Sequence, residues 1–310
     1  MTEYRAQFDA TVIFANGGGL HAQDFRVDVP GVDVTDAQIA TLFVTSLSLL
    51  MVDRVELANV QVYPEAHKGT RGGPSDVAAA PGAPTRFIEL SHVIRAGQVT
   101  YPGLPAPEIT AHLSRADSRA VYAEGTEFGI DRISMVGNTG TYVDSPYHRY
   151  ADGTDLAGLP LERLADLPAV VVRTAGSGVR GVDVGHLAAV DVAGRAVLLH
   201  TGGDAAFGTP AYAEDAPYLT AAGAAWLVEH GARLVGIDAV NIDDVAGAST
   251  GAAPKDRPAH TLLLAAGIPV VEHLTGLAQL PPTGARFTAA PPRIAGFGTF
   301  PVRAYAAVPA

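Results

Sequence analysis

The chain has 310 residues, of which 48% are hydrophobic, enough to fill the core of one large domain or two smaller ones. Its 21 basic and 32 acidic residues leave a net charge of -11, the wrong sign for gripping a phosphate backbone or an anionic membrane surface, so nucleic acid and membranes are not expected partners. With no cysteine, disulfides, thiolate metal sites and cysteine nucleophiles are excluded, and any metal must be held by His, Asp or Glu.

The first residues, MTEYRAQFDA, have neither the basic nor the apolar stretch of a secretion signal, and no apolar run approaches the ~20 residues of a membrane span. A soluble, cytoplasmic protein is expected. The segment QFDATVIFANGGGLHAQDFRVDV reads as a hairpin, because β-branched and aromatic residues flank Gly17, Gly18 and Gly19, which accept positive φ. A phosphate-binding loop at these glycines would need a helix N-terminus directly after them, and none follows. TDAQIATLFVTSLSLLM has Thr35 and Gln38 spaced as a capping box, with Ile39, Leu42, Phe43, Leu47 and Leu50 recurring on one helical face. DRVELANVQVYPE reads as a third strand, so residues 1–66 form a small β-β-α-β domain. Residues 67–85, rich in Gly, Pro and Ala without hydrophobic period, form a linker.

Residues 86–310 alternate strands with helices, as a mixed α/β sheet requires. AVVVRTA, AVLLHTG, RLVGIDAV and IPVVEHL are apolar runs of strand length, and TAAGAAWLVEHG is a helix starting at Thr220 and ending at Gly231. Between them lies NTGTYVDSPYH, where Asn138, Tyr142, Asp144 and His148 fall at even separations while Gly140 and Pro146 bend the chain. Even spacing puts side chains on one face of an extended segment, so all four are expected at one pocket, with Tyr147 and Arg149 beside them.

This segment resembles the cyclase-like family that includes bacterial kynurenine formamidase and isatin hydrolase. The family signature is H-x-G-T-H-x-D-x-P-x-H, and the chain reads N-x-G-T-Y-x-D-x-P-x-H from Asn138 to His148. LSHVIRAGQVTYPG (90–103), LLHTGGD (198–204) and PAHTLLLAAGIPVVEHLTGLAQLP (258–281) are similar to the family's opening, central and closing segments. The resemblance implies an α/β fold of the cyclase-like swivelling β/β/α type, preceded here by the small β-β-α-β domain. It also implies a homodimer or higher homo-oligomer acting on a small-molecule substrate. It makes His148 the counterpart of the catalytic histidine, and puts His260 and Glu272 at metal-binding positions.

The two histidines that bind metal in the family are Asn138 and Tyr142 here, a weak neutral ligand and a phenol that binds only once deprotonated. A metal-free site is therefore expected, with no cofactor: His148 as acid or base, Asp144 orienting it or acting as base, and Tyr142 and Asn138 donating hydrogen bonds to an oxyanion. His260, Glu272, Tyr147 and Arg149 are expected to contact substrate. Two carboxylates without a cation between them should divide into one acid and one base. The expected reaction is hydrolysis or cyclisation of a small cyclic or aromatic amide or lactone. One alternative is a Zn or Mn amidohydrolase of kynurenine formamidase type on Asp144, His148, His260 and Glu272; another is a non-catalytic small-molecule binding protein. His92, His200, His230 and His273 read as core histidines, and Asp243 and Asp244 as members of a solvated loop.

Overall fold

Alternation of apolar residues organises the first of two units, Met1–Ala80 and Pro81–Ala310. The structure, a computed structural model, describes residues 4–309 apart from 16, 48, 50, 65–84 and 248–254. In the first unit, β1 (Tyr4–Phe14) turns through Gly17, at φ 82°, into β2 (Gly19–Val29). Helix α1 (Asp36–Ser46) and β3 (Val52–Pro64) follow, giving an antiparallel sheet of order β2-β1-β3. Every second residue of β1, Ala6, Phe8, Ala10 and Val12, is buried beneath Ile39 and Phe43 of α1. The Phe43 ring meets Phe25 edge-on at 4.9 Å and Phe8 at 5.5 Å.

The capping box at Thr35 and Gln38 is present. Leu47 departs from the expected buried face and is exposed, because the helix ends at Ser46 and residue 47 leaves the helical register. Leu50 and the linker, apart from Thr85, lie outside the described residues.

The second unit begins with β4 (Thr85–Glu89), β5 (Glu108–Leu113), the single turn α2 (Arg115–Ser118), β6 (Ile130–Ser134) and β7 (Tyr142–Asp144). It continues through β8 (Leu167–Arg173), β9 (Gly181–Val182), α3 (Val184–Leu187), β10 (Ala196–His200), β11 (Tyr218–Leu219), α4 (Ala221–Glu229) and β12 (Leu234–Ile237). It closes with α5 (Pro258–Ala265), β13 (Val270–Glu272), β14 (Thr283–Thr288), β15 (Thr299–Pro301) and β16 (Tyr305–Pro309).

Nine of these strands form one mixed sheet, of order β15-β7-β13-β12-β10-β8-β14-β16-β4. The four central strands run parallel, joined by helical crossovers, and both edges are antiparallel. Val171 and Leu198 point into a core on one face, while Val170, Val172, Val197 and Leu199 point into a second core beneath α4 and α5. This is the α/β fold expected. Burial on both faces explains why the central strands read as unbroken apolar runs. Thr220 caps α4 by accepting from the Gly223 N–H at 3.0 Å, and Gly231 leaves it at φ 75°. Among the described residues no helix is long and apolar enough to cross a membrane.

The sheet brings β7 between β13 and β15 so tightly that two glycines are obligatory. A Cβ on Gly137 would lie 2.1 Å from the Thr299 carbonyl oxygen, and one on Gly298 would lie 2.7 Å from the His148 backbone nitrogen. Gly298→Ala should lower the stability by ~1–3 kcal/mol, since backbone must shift to admit the methyl. Gly185, on α3, has open space at the same position. Gly185→Ala should be neutral or stabilising within ~1 kcal/mol. Urea unfolding midpoints of the two variants test this; equal midpoints would mean that β15 and the turn at His148 are further apart than described.

Candidate active site

Strand register builds the site. In the antiparallel pairs flanking β7, Tyr142 lies opposite Glu272 of β13, and Asp144 lies opposite Thr299 of β15. Residues 142 and 144 share a face, so both pairs are delivered to the same place. Pro146 then opens a 3-10 turn, Pro146–His148, which carries His148 off the strand and back toward Asp144. The segment is therefore extended only from Tyr142 to Asp144, with Gly140 at φ 64° before it.

His260 arrives from α5, whose first residue is Pro258 and whose own N-cap, Arg257, makes no side-chain capping bond. Asp243 supplies the cap instead. Its carboxylate accepts from the backbone N–H of Ala259 at 2.7 Å and of His260 at 3.2 Å, and from His260 Nδ1 at 2.6 Å. The bond to Nδ1 fixes the ring, leaving Nε2 at 3.5 Å from both Asp144 Oδ2 and Glu272 Oε1. The expectation of a solvated loop at Asp243 is thus corrected: the residue is buried because it terminates a helix and holds an imidazole. Asp244 is ion-paired with Arg180 at 2.8 Å.

The charges settle one another. Burial by itself lowers the pKa of His260, but the carboxylates of Glu272, Asp144 and Asp243 outweigh it and bring the imidazole up to about 10. Burial also acts to raise Asp144, yet hydrogen bonding and charge from His260, with His148 and Thr299, hold its carboxyl below the usual range. Glu272 goes the other way, pushed up to about 7 by burial against the opposing pull of His260. Asp144 is thus held in its ionised form, and Glu272 is the more readily protonated of the two. The expectation that no cation lies between them is corrected, because His260 occupies that place.

Hydrogen-bond directions follow from these charge states. Ionised Asp144 can only accept, so Thr299 Oγ1 donates to its Oδ1 at 2.6 Å. The same hydroxyl oxygen, 2.8 Å from His148 Nδ1, must then accept, so Nδ1 carries a proton. Tyr142 donates to Glu272 Oε2 at 2.5 Å, and Ile242 N–H donates to Oε1 at 2.5 Å. Tyr142 keeps its proton, since burial and then the charge of Glu272 raise its pKa well above 10. Its oxygen accepts from His273 Nε2 at 3.3 Å, and His273 Nδ1 accepts from the Tyr212 hydroxyl at 2.8 Å. Burial pushes His273 down to about 3, so it is neutral and carries the single proton this chain needs.

A cavity of about 770 Å³ opens onto this cluster. Asn138, Tyr142, His148, Arg149, His260 and Glu272 line it, as does Asn241, which the sequence did not single out. Asp144 is fully buried behind that lining and reaches it through His148. Tyr147 is not part of the lining; it is exposed, because the 3-10 turn directs residues 147 and 148 differently. Tyr142 is not an unengaged oxyanion donor as expected, since its hydroxyl is committed to Glu272. Asn241 lines the cavity, and its Oδ1 accepts from Asp243 N–H at 3.0 Å. His273 is buried as expected, and the Tyr142 and Tyr212 hydroxyls satisfy it. His92 stacks on Phe207, His200 Nδ1 lies 3.0 Å from Arg173, and His230 is exposed and stacked on Trp226.

The donor set also meets the requirements of one metal ion. Asp144, His148 and His260 each offer a ligand atom within 4.8 Å of the others. Asp144 Oδ2 is buried and faces His260 Nε2 at 3.5 Å, and the carboxylate behind His260 is the usual outer partner of a metal-binding imidazole. Glu272 is less suited, because both its oxygens already accept short hydrogen bonds.

Residues 88–244 match the family model described as "Putative cyclase". The chain is 30% identical over 183 residues to kynurenine formamidase of Geobacillus thermodenitrificans, covering 59% of this chain and 81% of that protein. Its fold is similar to an isatin hydrolase bound to the product analogue thioisatinate, with TM-score 0.63 and 23% identity over 73% of this chain and 93% of that one. It is also similar to a potential metal-dependent hydrolase with cyclase activity, with TM-score 0.58 and 22% identity over 72% and 98% of the two chains.

Thr299→Val keeps the shape of residue 299 and removes its hydroxyl. The ¹⁵N spectrum of His148 should move from one Nδ1–H tautomer to a mixture, and the unpaired oxygen of Asp144 should cost ~1–3 kcal/mol of stability. An unchanged His148 spectrum would show that Thr299 does not set the tautomer.

Proposed function

The chain belongs to the cyclase family, as a hydrolase of that family, and from this premise we propose that it opens an activated cyclic or aromatic carbonyl compound, a lactone, imide or ring amide, by acid-base catalysis centred on His148. The observation that carries this reading is the Asp144–Thr299–His148 relay. With Nδ1–H donated to Thr299, the neutral ring of His148 would offer the Nε2 lone pair to a cavity of about 770 Å³, a volume suited to a small molecule. A water positioned by Nε2 loses its proton to the imidazole as its oxygen attacks the carbonyl carbon. The proton placed on His148 is stabilised through Thr299 by anionic Asp144. The same proton then passes to the leaving oxygen or nitrogen as the ring bond breaks. Asn138 and Asn241 line the cavity with amide groups suited to the oxyanion, in the role first expected of Tyr142.

A second reading is supported by the clustering of Asp144, His148 and His260 ligand atoms around the buried Asp144 Oδ2: one zinc or manganese ion held by these three residues. Such an ion, when bound, would lower the pKa of water and polarise the carbonyl. In that case His148 is a ligand, and the base is a group other than its Nε2.

We also propose that the protein is a cytoplasmic homo-oligomer. Strands β5 and β6 form a separate two-stranded sheet on which Ile109, Ile130 and Ile133 are all exposed. A lone hairpin is marginal in water, and adjoining apolar side chains on it gain from cover by a second copy.

Three measurements test these proposals. His148→Ala and Asp144→Asn should each reduce turnover of an activated lactone or imide by ~10²–10⁴-fold while the unfolding transition is retained. Full activity in both would remove the assignment. Exhaustive chelation should leave wild-type activity unchanged; its loss, restored by one equivalent of zinc or manganese, would establish the metal reading. For assembly, Ile133→Lys should shift the sedimentation coefficient of the wild-type oligomer to that of a single chain.

A further inference from the structure

The cavity has opposite charge at its two ends. Its deep end holds Glu272, with Asp144 and Asp243 behind the lining and the His260 imidazole among them. Its exposed end is cationic: Arg149 and Lys255 line it, with Arg257, against the single exposed acid Asp256. The chain has only two lysines, and Lys255 is one of them. In a protein of net charge -11, basic side chains on the surface usually find acidic neighbours. Arg149 instead rests over the Tyr150 ring, 5.3 Å from its centre, and among the described residues neither Arg149 nor Lys255 forms an ion pair. Tyr101, Leu104 and Leu262 supply apolar wall to the same cavity.

On the reading that this cavity is the reaction site, we propose that its substrate is a small organic acid. Its carboxylate docks on Arg149 and Lys255, its apolar body lies along Tyr101, Leu104 and Leu262, and its hydrolysable carbonyl reaches His148. An anion is repelled from the deep end, where acidic groups gather, and attracted at the mouth, so the charge pattern admits one orientation. The guanidinium provides the planar fork that a carboxylate fits, and the ammonium adds a mobile point charge. An uncharged compound of the same shape gains nothing from either.

Calorimetric titration of the wild-type protein with benzoate and with benzamide, its neutral counterpart, tests the proposal. Benzoate should bind at least ~10-fold more tightly at low ionic strength, and the preference should shrink as salt screens the mouth. In the Arg149→Ala/Lys255→Ala double variant the preference should fall below ~2-fold while the unfolding midpoint stays that of wild type. Equal affinity for the two compounds, binding of neither, or a preference that survives in the double variant overturns the proposal. Turnover of an activated lactone that bears a carboxylate is measured on the same preparations. Benzoate preference without turnover removes the catalytic reading alone, whereas turnover without preference removes the anion site alone.

Discussion

Three carboxylates withdrawn from water around one imidazole set the terms for the second unit. An unpaired buried charge costs several kcal/mol, so each of Asp144, Asp243 and Glu272 has to be met by donors that the fold delivers. Asp243 is met by the first turn of α5, Glu272 by a backbone N–H and a tyrosine, and Asp144 by Thr299 on one side and His260 on the other. Those donors come from four separated stretches of chain. The antiparallel placement of β7 between β13 and β15 lets them converge, and the close approach at Gly137 and Gly298 keeps the strands in that place.

The same constraint explains why an asparagine and a tyrosine at positions 138 and 142 make chemical sense together. A phenol whose pKa has been raised keeps its proton, and a proton beside Glu272 is what a crowded acidic site lacks. Tyr212, His273 and Tyr142 then donate in one direction, each fixing the next, and the series ends on Glu272. A series with a single sense of donation has no low-energy alternative in which a middle member turns round, which makes the deep end of the cavity rigid.

The architecture was legible in the residues because it rests on short-range rules. Alternation marked β1, apolar runs marked the buried parallel strands, and Thr35, Thr220 and Gly231 marked helix ends. The signature segment placed Asn138, Tyr142 and His148 at the cavity, and the resemblance added His260 and Glu272. Thr299 was not legible: it lies 155 residues from Asp144 in sequence and meets it only through strand register. Asp243 was misread because a pair of adjacent acids ordinarily faces water, and nothing local reveals that one of them closes a helix begun 15 residues later. Leu47 was misread for the simpler reason that a periodic pattern ran past the end of its helix.

The double duty of Asp243 has a consequence for how this chain can vary. The carboxylate that starts α5 is also the one that orients His260, so the two properties cannot drift apart. At most sites a lineage can lose catalysis and retain a sound scaffold, leaving an inert relative. Here a neutral replacement weakens the helix at the moment it releases the imidazole, so descendants that abandon the chemistry must first find another way to begin that helix. Retention of an acid at position 243 is therefore a joint record of folding and of catalysis, and its loss in a homologue should be accompanied by a new Ser, Thr or Asp at the start of α5.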